Sequence, residues 1–334
     1  AYKKLFDEDP PKSVKTPLDK NDHPELDTSD LVSSSLISIY MTIIGQLQWL
    51  ITLGRFDIMA QVVSLSRFRI APREGHIQRV KRVVGYVTRT KDYAIRYRTE
   101  EPDYSYLPLV EYDWERTVYG KVQEVIADDI PEPLGKRVIL TTTLDANLKH
   151  CMATGRSLTG VLHFLNKTPI DWYSKLQATV ETATYGSEFV ASKTAVEQIM
   201  DLRHTLRYLG VPVESRTYMF GDNRSVVTSS TMPHSVLSKR HNVLAYHRVR
   251  EAIAAKIIVY TWLKSNYNLS DVLSKHWDHV SIYPALLKLF ITRGKIELIP
   301  REATVPEDKK MKDKKNKVKK TEDKTNKEKK TKSQ

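Results

Sequence analysis

Four acidic residues occupy positions that are hard to explain as ordinary surface charge: Asp145, Glu188, Asp222 and Asp271. Asp145 and Asp222 each end an apolar run typical of a buried strand, whereas Glu188 and Asp271 lie in segments with helical apolar periodicity. Taken singly, each acid has a structural explanation as a turn former, an exposed helix residue, a helix cap or a favourable first-turn charge. Taken together, they predict a carboxylate cluster that holds two divalent metals for in-line cleavage of a phosphodiester.

Composition limits the class of protein. The 334 residues are 40% hydrophobic, which suffices for a sizeable core in one to three domains. The single cysteine, Cys151, excludes a disulfide framework and a cysteine-based zinc site, which fits a reducing intracellular compartment. The longest apolar stretch, residues 36–53, is interrupted by polar residues, so we expect a buried amphipathic helix there and no membrane partner. The first residue is Ala1 and not Met, which suggests a fragment or a processed product.

The positive charge is concentrated at the C-terminus. Residues 309–334 contain 13 Lys against four acids, so they supply +9 of the formal net charge of +13. This stretch has almost no apolar residues, and we expect residues 293–334 to form a basic disordered tail. Such a tail binds phosphate backbones without sequence preference, or serves as a solvated extension or a nuclear-import signal.

The remaining chain divides into two regions that contain regular elements. Residues 1–30 show no periodicity and are predicted to be a linker or an irregular strap. Residues 31–90 have the apolar spacing of three helices, and residues 93–97 alternate as a short strand. Residues 99–135 are polar and proline-containing, so they are predicted to be a connector. From residue 136 the elements follow the order βββαβαβα, with the third strand at residues 170–174 and a long helix from about residue 183 to residue 208. This order predicts an α/β fold with a mixed five-stranded sheet and flanking helices.

This order, with acids at those four points, is similar to the ribonuclease H fold. Several blocks of sequence also resemble the ribonuclease H of copia-type LTR retrotransposon polyproteins: TGRS (154–157), NKTPIDWYS (166–174), VETATYGSEF (180–189), FGDNRS (220–225), AYHRVRE (245–251) and LSDVLSK (269–275). The upstream blocks IGQLQWL (44–50), GRFDI (54–58) and KRVVGY (81–86) resemble the end of the adjoining reverse transcriptase. The resemblance implies a thumb-like helical part at residues 31–98 and a ribonuclease H-like domain at residues 136–292.

The resemblance also implies the chemistry. Asp145 would bridge two Mg²⁺ ions, with Mn²⁺ as an alternative; Glu188 and Asp222 would complete the shell of one ion, and Asp271 that of the other. The substrate would be an RNA–DNA hybrid, and the upstream reverse transcriptase is a further candidate partner. Cellular ribonucleases H carry a mobile His shortly before the last acid, and this chain has none there, so Asn266 or Asn268 fills that space or product release differs.

Basic side chains are predicted to contact the phosphates of the hybrid without reading its sequence. For Lys239 and Arg240 the alternative is that they are only solvated charge. The predicted contacts are Arg156, Lys175, Lys239, Arg240, His241, Arg248 and Arg250.

Three functional hypotheses remain at the level of sequence. The first is a retrotransposon endonuclease in a cytoplasmic particle or the nucleus. Polymerase activity is not expected from this chain, because the Tyr-x-Asp-Asp turn of reverse transcriptases does not occur in it. The second is an inactive relic that only binds nucleic acid. The third is an integrase-type transferase, which the four-acid pattern and the upstream helices disfavour.

Overall fold

Helices dominate the N-terminal part of the chain. The computed structural model describes residues 2–107, 110–213, 215–237 and 240–292. The first helices are Tyr2–Phe6 (α1), Ser34–Thr52 (α2), Met59–Leu65 (α3) and Glu74–Arg89 (α4). The last three correspond to the predicted helices, and Gly54, with a φ of 110° that side chains with a Cβ rarely adopt, follows the end of α2 as expected. Helix α1 was not predicted, because its surroundings show no periodicity.

Helix α2 has one buried side and one exposed side. Tyr40 and Leu47 pack into the core, and the Tyr40 hydroxyl donates a hydrogen bond to the Leu65 carbonyl at 2.8 Å. The opposite side exposes Met41 and Trp49. By length and composition alone, α2 is also the one helix in the described part of the chain that could span a membrane. The expected amphipathic core helix is therefore present.

Residues 2–30 pack against α4. Leu18 is fully buried in the core. Arg79 of α4 forms ion pairs with Asp22 and Asp27, while Arg82 pairs with Asp19. The segment is therefore an irregular strap along α4 and not a free linker.

The described strands form two sheets. They are Tyr93–Ile95 (β1), Leu140–Asn147 (β2), Leu158–Leu165 (β3), Thr168–Leu176 (β4), Thr217–Gly221 (β5), Ile258–Trp262 (β6) and Phe290–Thr292 (β7). The larger sheet has the order β4-β3-β2-β5-β6. Strand β3 pairs antiparallel with both β4 and β2, whereas β5 runs parallel to both β2 and β6. The predicted mixed five-stranded sheet of a ribonuclease H-like fold is confirmed.

Helices cover both faces of this sheet. Beyond the first four helices, the described chain contains Thr184–Tyr208 (α5), Arg224–Thr231 (α6), Val243–Ala254 (α7), Asp271–Ser274 (α8) and His279–Leu286 (α9). Val161 of β3 lies in a hydrophobic cluster with α5, α6 and α7. Its neighbour Leu162 lies in a second cluster with α2, α3, α4 and α8. Successive side chains of a strand point to opposite faces, so β3 contributes to both layers.

Two boundaries differ from the predictions. Strand β4 begins at Thr168 and not at residue 170, because the turn is only Asn166 and Lys167, with Asn166 in a left-handed conformation at φ 53°. Pro169 is tolerated because β4 is an edge strand. Strand β1 is shorter than residues 93–97, and its antiparallel partner β7 was not predicted. The predicted tail, residues 293–334, lies outside the described residues.

Candidate metal centre

Asp145 lies on β2, the central strand of the sheet, and is only 2% exposed. The preceding Leu144 packs in the cluster with α5, so Asp145 points to the opposite side of its strand. There the Ser274 hydroxyl and the Lys275 ammonium donate hydrogen bonds to its carboxylate. The structure thus explains why an acid can end an apolar strand: its charge is met by donors from the segment around α8.

Asp222 follows β5 directly. Because β5 is parallel to β2, the carboxyl ends of both strands reach the same edge of the sheet, and Asp222 arrives beside Asp145. The Trp262 indole donates to the Asp222 carbonyl at 2.9 Å. The side chain of Asn223, and not that of Asp222, caps the N-terminus of α6. The capping alternative for Asp222 therefore does not hold.

Glu188 lies in the second turn of α5 and is 4% exposed. One carboxylate oxygen, Oε1, accepts a hydrogen bond from the Ala146 amide at 3.3 Å. The other oxygen, Oε2, is buried and has no hydrogen-bond partner among the described residues. Buried polar atoms are usually satisfied by a partner, so this oxygen is available to accept one from a ligand.

Asp145, Glu188 and Asp222 together form the centre of the site. Each offers one oxygen, and these oxygens lie within 4.8 Å of one another. Divalent cations such as Mg²⁺ and Mn²⁺ prefer carboxylate oxygens, and the unpartnered Glu188 Oε2 supplies a free one. The group is therefore compatible with a bound divalent metal.

Asp271, the first residue of α8, is not a member of this group of three. Its Oδ1 accepts a hydrogen bond from Lys275 Nζ at 2.8 Å, and the same Nζ lies 3.2 Å from Asp145 Oδ1. Helix α8 approaches β3 at Gly160, where an added Cβ would lie 2.8 Å from the Ser270 carbonyl oxygen. The absence of a side chain at residue 160 thus lets α8 bring Asp271 and Lys275 to Asp145. That Asp271 binds a second metal stays a prediction.

Three carboxyl groups of this site, those of Glu188, Asp222 and Asp271, have raised pKa values. Burial is the largest cause that raises the pKa of Glu188 well above its usual value, and the charges of Asp145 and Asp222 raise it further. Burial and the Asp145 charge likewise raise the pKa of Asp222, and they raise that of Asp271 to about 7. Burial opposes the charge of Lys275, but Asp145 and Asp271 outweigh it and raise its pKa. The site therefore has a deficit of positive charge that a bound cation would relieve.

Three residues near the centre have roles that were not predicted or remained open. Lys275 and Ser274 were not predicted as site residues, although an acid and a lysine four residues apart, as in Asp271 and Lys275, are a recognisable helical ion pair. Asn268 is buried and donates to the Leu144 carbonyl at 2.8 Å, so it anchors the segment before α8 to β2.

Most predicted phosphate contacts are on the surface. Arg156, Lys175 and Arg240 are exposed. His241 is exposed and hydrogen-bonds to Glu181, while Arg248 is half-buried and pairs with Glu251. Lys239 lies outside the described residues. Their contact with nucleic acid stays a prediction.

Arg250 contradicts its predicted role. It is 3% exposed, and its guanidinium donates to the carbonyls of Ser229, Met232 and Pro233 at 2.7–2.8 Å. It also lies over the Trp114 ring, 4.9 Å from the centroid. A guanidinium with these partners cannot reach a phosphate, so Arg250 is a packing residue and the prediction is corrected.

Homologues of the chain are retrovirus-related Pol polyproteins from copia-type transposons. It is 22% identical to the polyprotein from transposon TNT 1-94 of Nicotiana tabacum, over 71% of this chain and 15% of that protein. It is 21% identical to the polyprotein from transposon RE1 of Arabidopsis thaliana, over 76% of this chain and 15% of that protein. A putative transposon Ty5-1 protein of Saccharomyces cerevisiae is 27% identical over 50% of this chain and 42% of that protein. No protein-family model matches the chain.

Ribonuclease H structures resemble part of the chain. The N-terminal RNase H domain of a Mycobacterium tuberculosis protein matches 41% of this chain and 91% of its own, at 14% identity and a TM-score of 0.32. LC11-RNase H1 in complex with an RNA/DNA hybrid matches 45% of this chain and 99% of its own, at 16% identity and a TM-score of 0.32. The ribonuclease H-like fold itself follows from the strand order and pairing. The chain spans about 15% of the length of the first two Pol polyproteins.

Proposed function

We propose that this chain is a retrotransposon ribonuclease H, which cleaves the RNA strand of an RNA–DNA hybrid with a divalent metal. The observation that carries the proposal is the buried group of Asp145, Glu188 and Asp222 at one edge of a ribonuclease H-like sheet. The homology to transposon Pol polyproteins supports it, because reverse transcription creates hybrids whose RNA strand must be removed. Polymerase activity is not part of the proposal, since the chain has no Tyr-x-Asp-Asp sequence. The proposed setting is a cytoplasmic particle or the nucleus.

Three carboxylates would hold the metal: Asp145, Glu188 and Asp222. Mg²⁺ is the proposed ion, with Mn²⁺ as a substitute, because both take oxygen ligands. When bound, such an ion activates water and stabilises the leaving 3′ oxygen. Ser274 and Lys275 orient the Asp145 carboxylate through their hydrogen bonds. Burial of Glu188 and Asp145 keeps both carboxylates in fixed positions.

Exposed basic residues would hold the hybrid. Arg156, Lys175 and Arg240 present their charges to solvent, where they can neutralise phosphates on either strand. Such contacts position a duplex but do not identify the RNA strand, which the 2′-hydroxyl would mark. The proposal therefore predicts cleavage with little dependence on sequence.

The test is cleavage of an end-labelled RNA–DNA hybrid by the full chain with Mg²⁺. The variant Asp222→Asn removes one ligand, and Asp201→Asn serves as its matched control because Asp201 is an exposed acid on α5. We expect the wild type and the control to cut the RNA strand at similar rates, and Asp222→Asn to lose cleavage. Double-stranded DNA of the same sequence should remain intact.

Two results would contradict the proposal. A folded wild-type chain that binds the hybrid without cutting it would favour the alternative of an inactive relic that only binds nucleic acid. Cleavage that persists in Asp222→Asn at the wild-type rate would show that another site performs the reaction.

A further inference from the structure

Lys275 joins the two parts of the acidic cluster. Its ammonium lies 2.8 Å from Asp271 Oδ1 and 3.2 Å from Asp145, and 37% of its side chain is exposed. Asp145 also belongs to the three-carboxylate group with Glu188 and Asp222. Lys275 thus lies between Asp145 and Asp271, the two carboxylates that a second metal ion would share.

The position of Lys275 is fixed by the segment that carries it. Its backbone amide donates to the Asp271 carbonyl at 3.0 Å. Just before α8, the side chains of Ser270 and Thr143 are hydrogen-bonded at 2.7 Å, which ties the helix to β2. The close approach of α8 to Gly160 holds the same segment from β3. The lysine is therefore part of the built site and not a surface side chain that happens to reach it.

The charges divide in a way that matches this geometry. Asp145, Glu188 and Asp222 bring three oxygens within 4.8 Å of one another, a group suited to one cation. The fourth carboxylate, Asp271, has the lysine ammonium as its cation instead. A divalent ion placed between Asp145 and Asp271 would be repelled by an ammonium at the same position.

We propose that Lys275 takes the place of a second metal ion, so that this centre binds one divalent cation per chain. The inference rests on the proposed function, since it concerns the metal requirement of the same site. An ammonium partly neutralises the charge of Asp145 and Asp271 and donates hydrogen bonds to them. Unlike a metal ion, it has no water ligand that it could activate. Lys275 is thus a positioning residue that makes the Asp271 side of the cluster independent of metal.

The test counts bound Mn²⁺ ions in the full chain by isothermal titration calorimetry, with free Mn²⁺ followed by electron paramagnetic resonance. We expect one ion for the wild type and for Lys275→Arg, which keeps the positive charge. We expect two ions for Lys275→Ala, because removal of the ammonium frees Asp145 and Asp271 for a second cation. The matched control is Lys193→Ala, because Lys193 forms a similarly exposed i,i+4 pair with Glu197 outside the site; it should bind one ion.

A second variant keeps the inference testable if Lys275→Ala fails to fold. Asp271→Asn removes the partner of the lysine but no ligand of the three-carboxylate group. We expect it to retain one Mn²⁺ with a dissociation constant within about threefold of the wild type. Loss of that ion in Asp271→Asn, or two ions in the wild type, would overturn the inference, as would an unchanged count of one ion in folded Lys275→Ala.

The outcome is separable from that of the proposed function. A wild-type chain that binds one ion, gains a second in Lys275→Ala and cleaves no hybrid would uphold the inference while the nuclease proposal fails. A wild-type chain that cleaves the hybrid and binds two ions would uphold the nuclease and reject the role of Lys275.

Discussion

Two glutamates, one near each end of helix α5, have opposite electrostatic surroundings. Glu188 is part of the helix, whereas Glu124 contacts it from the connector. Glu124, in the connector, receives hydrogen bonds at 2.8 Å from both Arg203 and Arg207 near the C-terminal end of the helix. Burial opposes its ionisation, but the two arginines outweigh burial and lower its pKa to about 2. Glu188, near the N-terminal end, has acids for neighbours, and burial and those acids raise its pKa.

The difference separates a structural acid from a ligand-binding one. The charge of Glu124 is paired within the fold, so Glu124 stabilises the protein without any bound ligand. Glu188 has one oxygen without a partner among the described residues and no arginine beside it. Burial of an acid is therefore a weak indication of function by itself, and the partners of the acid decide its role.

The largest expected effect is the loss of catalysis in Asp145→Asn. Asp145 belongs with Glu188 in the comparison, because it lies in the three-carboxylate group. We expect kcat for hybrid cleavage to fall by at least about 10³-fold, since removing a residue that acts as part of a catalytic unit has losses of this order. Folding, followed by circular dichroism, and hybrid binding should remain close to wild type. Activity near the wild-type rate would remove Asp145 from the proposed centre.

Neutralising each glutamate in turn tests the comparison directly by stability. Glu124→Gln leaves Arg203 and Arg207 without a carboxylate, so we expect the free energy of unfolding to fall by about 3 kcal/mol. Glu188→Gln removes a charge that the metal-free fold disfavours, so we expect no loss and a gain of up to about 1 kcal/mol. Urea denaturation in EDTA measures both. Equal destabilisation by the two variants would refute the distinction.

The pH dependence of stability should show both kinds of acid. The raised pKa values of Glu188, Asp222 and Asp271, the last at about 7, mean that the folded metal-free chain binds more protons than the unfolded chain between about pH 4 and pH 7. Their contribution to stability therefore falls as pH rises through this window. Glu124 does the opposite, because its lowered pKa gives stability above its usual value of 4.5 that is lost as pH falls toward about 2.

Thermal unfolding in EDTA between pH 3 and pH 8 measures this dependence. We expect a maximum near pH 5 and a decline of a few degrees toward pH 8, an effect on the order of 1 kcal/mol. Mg²⁺ should raise the midpoint more at pH 8 than at pH 5, because metal ligands must be deprotonated. A midpoint that rises steadily to pH 8 without metal would contradict the raised pKa values.

The smallest expected effect concerns an exposed base, the counterpart of the buried arginines that hold Glu124. Lys175 is exposed and does not pack in the core, so Lys175→Ala should leave the free energy of unfolding unchanged. We expect hybrid affinity to fall about threefold and the slope of log affinity against log salt to decrease by about 1, as for one lost phosphate contact. Fluorescence anisotropy at several salt concentrations measures both, with Lys193→Ala as the control. An unchanged slope would leave Lys175 as solvated charge.

Long periodic elements were predictable from the sequence, and short ones were not. Helix α5 begins one residue after its predicted start and ends at the predicted residue. Strand β7 has three residues, and its partner β1 lies about 200 residues earlier, so no local pattern indicates it. The prediction succeeded where the sequence pattern of one segment specifies the element. It failed where the element forms only by pairing with a segment far away in the sequence.

The same division applies to the site. Strand ends and helical periodicity identified the acids that the structure brings together, because parallel strands deliver their carboxyl ends to one edge. Lys275 was not predicted as a site residue, because its position depends on the contact between α8 and Gly160, which is distant in sequence. Arg250 was predicted wrongly, although the buried Tyr246 four residues earlier places it on the inner side of α7.

The ribbon of β1 and β7 has a consequence for how the chain responds to proteolysis. It pairs residues 93–95, before the connector, with residues 290–292, after the sheet. The N-terminal helices and the sheet also share one hydrophobic cluster that contains Phe56, Leu162 and Trp277. A protease that cuts the exposed connector near Val118 should therefore produce two fragments on a denaturing gel that still elute together from a sizing column. The two fragments would remain associated after the peptide bond between them is cut.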